Sequence, residues 1–214
     1  MGIIESKMKL TRDFYSSNDV VAVAKQLLGK ILFSNIDGIQ SAGYIVETEA
    51  YDGINDKACH AFGNRRTART KVMFMQGGTA YVYLCYGIHS LFNVVTGQKD
   101  VPQAVLIRGI IPYQGIRHIL KRRPVKLSLE KTGIGPGNVS ACLGIHFSDT
   151  GTDLLGNRIW IEDHGFEIDA RYVISGPRVG VDYAGQDAKL PYRFLLRKEF
   201  YPEIDLYRSG TGLQ

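Results

Sequence analysis

Apolar and polar positions at the start of the chain follow first a helical and then a strand period. Residues 17–30 open with Ser, Asn and Asp capping residues, continue with apolar residues at helical spacing and end at Gly29, which predicts an amphipathic helix. A strand over residues 30–35, the turn dipeptide Asp37-Gly38 and a second apolar strand come next. This order predicts a β-hairpin after the helix.

Polar and apolar stretches alternate in the next part of the chain. Residues 58–78 are polar and contain glycine, which predicts a long, irregular connection of the kind that often carries function. Residues 79–97 are dense in β-branched and aromatic residues around Tyr86-Gly87. We therefore expect two strands that meet at an aromatic tip.

An arginine interrupts the following apolar stretch. Residues 103–111 predict a strand with Arg108 in its middle, and a buried arginine requires an anionic partner. Residues 113–123 predict a basic helix that ends at Pro124. The glycine-rich GIGPG of residues 133–137 lacks the lysine and Ser/Thr of a P-loop and predicts the start of a short helix.

These elements predict an α+β fold: a single mixed domain over residues 1–214, around a curved, mainly antiparallel β-sheet with peripheral helices and a protruding β-hairpin. No apolar run reaches the length of a membrane span, and the first residues do not form a secretory signal, so we expect a cytoplasmic protein. Three widely spaced cysteines predict buried, reduced thiols: Cys59, Cys85 and Cys142.

Basic residues are concentrated in the middle of the chain. Residues 57–129 contain twelve Lys or Arg and one acidic residue, Asp100, whereas the remainder contains fourteen basic and twenty acidic residues. The middle therefore carries a formal charge of +11 and the remainder −6. So one-sided a segment favours a polyanionic partner, because basic side chains gain affinity by releasing counterions from phosphates. A basic surface without a ligand is the alternative at this point.

Two glutamates stand one residue apart in IVETEAYDG, residues 45–53. On a strand, Glu47, Glu49 and Tyr51 share one face, and the two carboxylates lie roughly 7 Å apart. Such a pair is typical of a solvated edge, of two structural anchors, or of an active site. With His60 the glutamates could also bind a metal, but no second histidine has the spacing of a zinc peptidase, and no G-x-S-x-G motif is present.

Three functions fit the residues alone. Paired carboxylates on a strand face are found in glycoside hydrolases, but a neutral sugar gives no reason for the basic middle segment. A non-catalytic nucleic-acid-binding module needs only the basic surface and the aromatic residues. A carboxylate that activates water against a glycosidic bond of extruded DNA uses both features: Tyr51, Tyr83 and His60 are suited to stacking, and Tyr86 to filling the gap in the duplex.

A longer resemblance favours the third function. The run ETEAYDG, then His60, RRTART and MFMQGGTAYVYLCYGIHSLFNVV, is similar to the alkyladenine (3-methyladenine) DNA glycosylase family. The likeness extends from LTRDFY and LLGK near the start through VLIRGI and GPGN to RVGVDYAG and LPYRF. Matches of this length with irregular spacings retained are specific, and they concern the compact single-domain glycosylases.

The resemblance implies a role for each matching residue. It makes Glu49 the general base, Arg108 a partner of the attacking water and of a phosphate, and the main-chain carbonyl of Val179 an orienting group for that water. It makes Tyr51, His60 and Tyr83 walls of the base pocket and Asn93 a group that disfavours normal guanine. Contacts with DNA are assigned to Tyr86 as the inserted wedge and to Thr67, Met73, Ile88 and His89.

The reaction that the resemblance implies is hydrolytic release of a damaged purine: 3-methyladenine, 7-methylguanine, hypoxanthine or ethenoadenine. Water is the nucleophile, so neither strand cleavage nor a metal or organic cofactor is expected. The resemblance also leads us to expect double-stranded DNA as the partner, bound by a monomer of bacterial type that acts on the nucleoid. Ile88 and His89 depart from the family pattern, so contacts beside the wedge are expected to differ, and the role of Glu47 stays open.

Overall fold

The computed structural model describes residues 8–123 and 128–201. Its elements along the chain are β1 Met8–Lys9, α1 Arg12–Tyr15, α2 Val20–Gln26, β2 Ile31–Ile36, β3 Ile39–Tyr51, β4 Ala80–Cys85, β5 His89–Thr96, β6 Gln103–Gln114, α3 Ile116–Arg122, α4 Leu129–Thr132, α5 Pro136–Leu143, β7 Ile159–Asp163, β8 Val173–Gly176 and β9 Arg193–Leu196. Among these elements no helix has the length and apolar character to cross a bilayer.

One curved sheet contains all nine of these strands, and every strand pair in it is antiparallel. The order is β1-β7-β2-β3-β6-β5-β4, with β9 pairing both β3 and β8. On one side, β3 pairs with β2 along its first half and with β9 along residues 47–49. The predicted α+β class with an antiparallel sheet is confirmed.

The long strand β3 is buried on both faces along most of its length. On one face the Thr48 hydroxyl donates a hydrogen bond to the Ala24 carbonyl in α2 at 2.8 Å. Side chains of α2 and α5 pack there with those of the sheet, including Val23, Leu27, Ile45, Phe92, Ile107 and Leu143. Because successive side chains of a strand point to opposite faces, Glu47 and Glu49 lie on the face away from α2.

Two bulges distort the pairing of β3 with β6 beside these glutamates. The register passes from Ile45 opposite Ile110 to Glu47 opposite Gly109, and then to Thr48 opposite Ile107. Val46 and Arg108 therefore have no residue directly opposite. Bulges bend strands and redirect side chains, which explains how a strand arginine reaches the carboxylates of the neighbouring strand.

Several predicted elements are confirmed by the structure. Helix α2 begins after Asp19, whose side chain accepts a hydrogen bond from the Ala22 N–H at 2.8 Å. The hairpin of β2 and β3 turns at Asp37-Gly38, where both residues have positive φ. GIGPG is a helix start, with Gly135 preceding α5 at φ 97° and Pro136 at its first position.

One predicted boundary is wrong, and one lies outside the described residues. The basic helix was predicted from residue 113, but β6 continues to Gln114 because Gln114 still pairs with Ala42 of β3. The ring of Tyr113 packs edge-on against Tyr44 at 5.0 Å, and Gly115, at φ 71°, separates the strand from α3. Pro124, the predicted stop of that helix, is not among the described residues.

Candidate active site and nucleic-acid interface

A cavity of about 450 Å³ lies beside β4, β5 and β6. Irregular segments around residues 58–73 and 179–183 complete its wall. The lining brings together most of the residues that the sequence predicted as catalytic or base-binding. Those of functional interest are Tyr51, His60, Arg69, Met73, Tyr81, Tyr83, Asn93, Arg108, Val179 and Tyr183.

Glu49 lies directly behind this wall, with 0% of its surface exposed. The Tyr51 hydroxyl donates a hydrogen bond to its Oε2 at 2.8 Å, and the Val179 N–H donates to its Oε1 at 2.8 Å. The Arg108 guanidinium is 3.4 Å from Oε1. All three partners line the cavity, so the carboxylate is one side-chain layer away from it.

The environment of Glu49 makes it a stronger base than an exposed glutamate. Burial raises its pKa above the ordinary value, and Glu47 adds to the rise, whereas Arg108, the Val179 N–H and the Tyr51 hydroxyl lower it. A carboxylate with a raised pKa accepts a proton from water more readily, as general-base catalysis requires.

Glu47 is a buried anchor for two arginines. Its Oε1 accepts hydrogen bonds from Arg108 Nε at 2.9 Å and from Arg193 Nε at 2.7 Å. The prediction that Arg108 needs an anionic partner is confirmed, and the partners are both glutamates of IVETEAYDG. The structure thus gives Glu47 a role that the sequence left open: it holds the arginine that contacts Glu49.

A buried ion pair fixes the segment that carries Val179. The Arg178 guanidinium donates to Asp56 Oδ1 at 2.8 Å and to the Ala50 carbonyl at 2.8 Å. It also lies 4.9 Å from the centre of the Tyr51 ring. Arg178 is part of RVGVDYAG, but the sequence alone assigns it no role. Its pairing with Asp56, 122 positions away, leaves no local signal in the sequence.

His60 is held as a neutral ring between two polar groups. Burial, with the charges of Arg69 and Arg65, lowers its pKa to about 4. Arg69 can only donate, and its Nη2 lies 3.1 Å from His60 Nε2, so the ring proton is on Nδ1. Nδ1–H then donates to the Tyr81 hydroxyl at 2.9 Å.

The predicted pocket walls come together. The rings of His60 and Tyr83 meet edge to face at 4.8 Å, and Tyr51 lines the same cavity. The Asn93 side-chain amide donates to the Tyr81 carbonyl at 3.0 Å and lines the cavity as well. Sequence reasoning missed Tyr81, although its spacing of two residues from Tyr83 on a strand was a usable signal.

Residues predicted to contact DNA lie in three places. Tyr86 is 92% exposed at the tip of the β4–β5 hairpin, and Ile88 and His89 are exposed beside it. Thr67 lines a second cavity next to the first, with several basic side chains. Met73, in contrast, is 1% exposed and lines the first cavity, so it lies inside the cavity and not on the outer surface.

The hairpin tip holds a tyrosine in a conformation that bulky residues rarely adopt. Tyr86 has φ 51° and Gly87 has φ 73°. Positive φ at a non-glycine residue costs free energy, and such strain is concentrated at functional sites. An exposed aromatic ring on a strained turn is therefore a feature that folding alone does not favour.

Side chains that could bind a metal ion are not grouped in the described residues. Within residues 8–123 and 128–201, no group of three or more His, Cys, Asp or Glu is placed to hold a metal ion. All three cysteines are free thiols; Cys59 and Cys142 are buried as predicted, whereas Cys85 is partly exposed.

Comparison with known proteins gives the class and then the family. The profile described as Methylpurine-DNA glycosylase (MPG) matches residues 13–200. The protein is thus a DNA N-glycosylase, a hydrolase of N-glycosyl bonds, which decides against the carbohydrate hydrolase and the non-catalytic binding module. The chain belongs to the methylpurine-DNA glycosylase family.

Bacterial relatives match nearly the whole chain, and the three described here all bear the name "Putative 3-methyladenine DNA glycosylase". The chain is similar to one of Chlamydia abortus, 42% identical over 87% of this chain and 97% of the relative. One of Chlamydia pneumoniae is 43% identical over 89% and 96%. One of Bacillus cytotoxicus is 41% identical over 87% and 95%.

Proposed function

We propose that this glycosylase releases alkylated and deaminated purines flipped out of double-stranded DNA, with Glu49 activating the water. The observation that carries the proposal is the buried Glu49 carboxylate, held against a cavity whose wall includes all three groups that contact it. The names of the bacterial relatives support 3-methyladenine as a substrate. Chemically related lesions are 7-methylguanine, hypoxanthine and ethenoadenine.

The proposed reaction is a hydrolytic displacement. Glu49 removes a proton from water, the water oxygen bonds to the deoxyribose C1′, and the bond from C1′ to the purine breaks. The electron pair of that bond goes to the departing purine, and an abasic site remains. The methylated purines 3-methyladenine and 7-methylguanine carry a positive charge and accept this electron pair readily, so modest activation of water cleaves their weakened bond but not a sound one.

The hydrogen bonds of Glu49 leave capacity for the water. A carboxylate offers about four lone-pair positions. Tyr51 and Val179 occupy one position on each oxygen at 2.8 Å, whereas the two contacts of Arg108 are longer, at 3.4 and 3.5 Å. Because Glu49 is fully buried behind the lining, a water donates to it only where Arg108 shifts away from the carboxylate. The described lining residues contain no lysine, which supports a reaction without a Schiff base or strand cleavage.

The other parts of the site fit an extruded base. Tyr51, Tyr83 and His60 surround the cavity as stacking and edge contacts, and Asn93 lies on its lining. The exposed Tyr86 is placed on a projecting turn, as a residue that fills the gap in the duplex must be. The basic middle segment supplies contacts with the phosphates.

The test uses oligonucleotides that carry one hypoxanthine or one ethenoadenine. Incubation with the protein and then heating in alkali should break the strand at the lesion, whereas Glu49→Gln should show no alkali-dependent break. Asp149→Asn is the matched control, because Asp149 is also a buried carboxylate in an ion pair, with Arg158, but lies outside the cavity lining. Parental activity in Glu49→Gln would refute the mechanism, and breakage without alkali would indicate a lyase.

A further inference from the structure

Arg69 contacts two of the three residues proposed to surround the base. Its Nη2 lies 3.1 Å from His60 Nε2, and its guanidinium carbon lies 4.6 Å from the centre of the Tyr83 ring. It lines the cavity beside β4, β5 and β6 that is proposed to hold the base, which we call the base cavity. It also lines the second cavity, which contains Thr67. A purine stacked on Tyr83 therefore lies within several ångströms of this cation.

Within the described part of the chain, no carboxylate balances the charge of Arg69. The other arginine that lines the base cavity, Arg108, is paired with Glu47 and Glu49. Among the residues that the structure describes, no carboxylate lies within ion-pair distance of Arg69. Its hydrogen-bonding partners, the imidazole of His60 and the hydroxyl of Tyr81, are uncharged, so the positive charge acts on whatever occupies the cavity.

We propose that Arg69 is a specificity-determining residue that favours uncharged purine lesions, such as hypoxanthine and ethenoadenine, over cationic ones, such as 3-methyladenine and 7-methylguanine. The inference rests on the proposed function, since it concerns a purine held in this cavity. Two effects act in one direction. The cation repels a positively charged base, and it already uses the attraction of the Tyr83 ring for cations.

The charge acts differently on binding and on bond cleavage. The purine gains one electron pair in either case, so a cationic lesion leaves as a neutral base and a neutral lesion leaves with added negative charge. A nearby cation promotes both departures equally. In the bound state and in the transition state alike, however, the cationic lesion carries one unit of positive charge more than the neutral lesion. Discrimination therefore appears in kcat/KM, whereas the rate at saturation changes alike for both lesions.

The size of the effect follows from Coulomb's law. Arg69 is exposed to solvent, so at a separation of about 7 Å and an effective dielectric constant of roughly 40 to 80, one unit of charge changes the kcat/KM ratio by about 3- to 7-fold. Arg69→Gln removes the charge and keeps an amide donor within reach of His60. We expect it to raise kcat/KM for 7-methylguanine relative to hypoxanthine by this factor, and to lower the saturated single-turnover rate for both.

Arg66→Gln is the matched control. Arg66 stacks on Phe74 at 4.0 Å, pairs with Asp100 at 2.7 Å and does not line the base cavity. The Arg66→Gln variant loses one positive charge three positions from Arg69, so its kcat/KM ratio of 7-methylguanine to hypoxanthine should equal that of the parent. Arg69→Lys retains the charge and should keep the parental ratio. Arg69→Met replaces Arg69→Gln if thermal denaturation shows that the latter is unfolded.

Three outcomes would overturn the inference. One is that Arg69→Gln leaves the kcat/KM ratio of the two lesions unchanged while the parent protein is active on both. Another is the same change in Arg66→Gln, which would indicate a general surface effect. The third is equal weakening for damaged and undamaged duplexes with a salt slope smaller by about one, which would make Arg69 a phosphate contact. Failure of the proposed function is distinguishable, because the parent would then release neither base.

Discussion

The buried ion pair between Asp56 and Arg178 offers a quantitative test of how the loop beside Glu49 is held. Asp56→Asn keeps the shape of the side chain and removes its charge. The partner guanidinium then remains in a site where both side chains are almost fully buried. Removing one member of a buried pair typically costs about 3–5 kcal/mol, because the other charge stays desolvated without compensation.

That loss should be visible in thermal denaturation. For a protein of this size, 1 kcal/mol shifts Tm by about 2–4 °C, so we expect Asp56→Asn to unfold about 6–20 °C below the parent. The same loop presents the Val179 N–H to Glu49, and release of a damaged base should therefore slow in Asp56→Asn at temperatures where the variant is folded.

Asp100→Asn is the control for the loss of a carboxylate. Asp100 pairs with Arg66 at 2.7 Å, but both side chains are more than half exposed. An exposed pair contributes about 0–1 kcal/mol, so Tm should change by no more than a few degrees. If Asp56→Asn and Asp100→Asn lower Tm equally, or if Asp56→Asn leaves both Tm and activity unchanged, the pair does not hold the loop.

Three further predictions concern the site. Arg108 lowers the pKa of Glu49, so in Arg108→Gln the acidic limb of the pH–rate profile should move to higher pH. Arg193→Gln removes a partner of Glu47 only and should move the limb less; equal shifts in the two variants would contradict the prediction. Because the pKa of Glu49 is raised on folding above its ordinary value of 4.5, the stability that Glu49 contributes is lost as pH rises from 4.5 through the raised pKa, and Tm of Glu49→Gln relative to the parent should increase over that interval. Tyr86→Gly should be about 1 kcal/mol more stable than Tyr86→Ala because of the positive φ, with both releasing less base from duplex DNA; equal denaturation midpoints would count against strain.

Local patterns in the sequence predicted the elements whose signals lie within a few residues. Helix α2 has its cap and its glycine, and the two hairpins have their turn residues. The grouping of Glu47, Glu49 and Tyr51 on one face needed only the alternation of a strand. The anionic partner of Arg108 was likewise predictable, because a charged side chain in an apolar strand cannot stay unpaired.

Features set by long-range contacts could not be predicted from the sequence. The boundary between β6 and α3 depends on pairing with β3, which overrides the helical pattern from residue 113. The bulges that direct Arg108 toward the glutamates are also a property of two strands together. The Asp56–Arg178 pair and the charge environment of Arg69 required three-dimensional proximity that no spacing in the sequence encodes.

The proposed proton acceptor and the proposed base contacts lie in parts of the chain that differ in local stability. Glu49 is near the end of β3 but has a paired strand on each side, so its amide should exchange with solvent only when the whole domain opens. His60 and Arg69 are carried by an irregular segment with few sheet hydrogen bonds, which can open locally. Substitutions in that segment can therefore alter which lesions are accepted while the hydrolytic chemistry stays intact. The range of lesions can then change during evolution by single substitutions, without passing through an inactive protein.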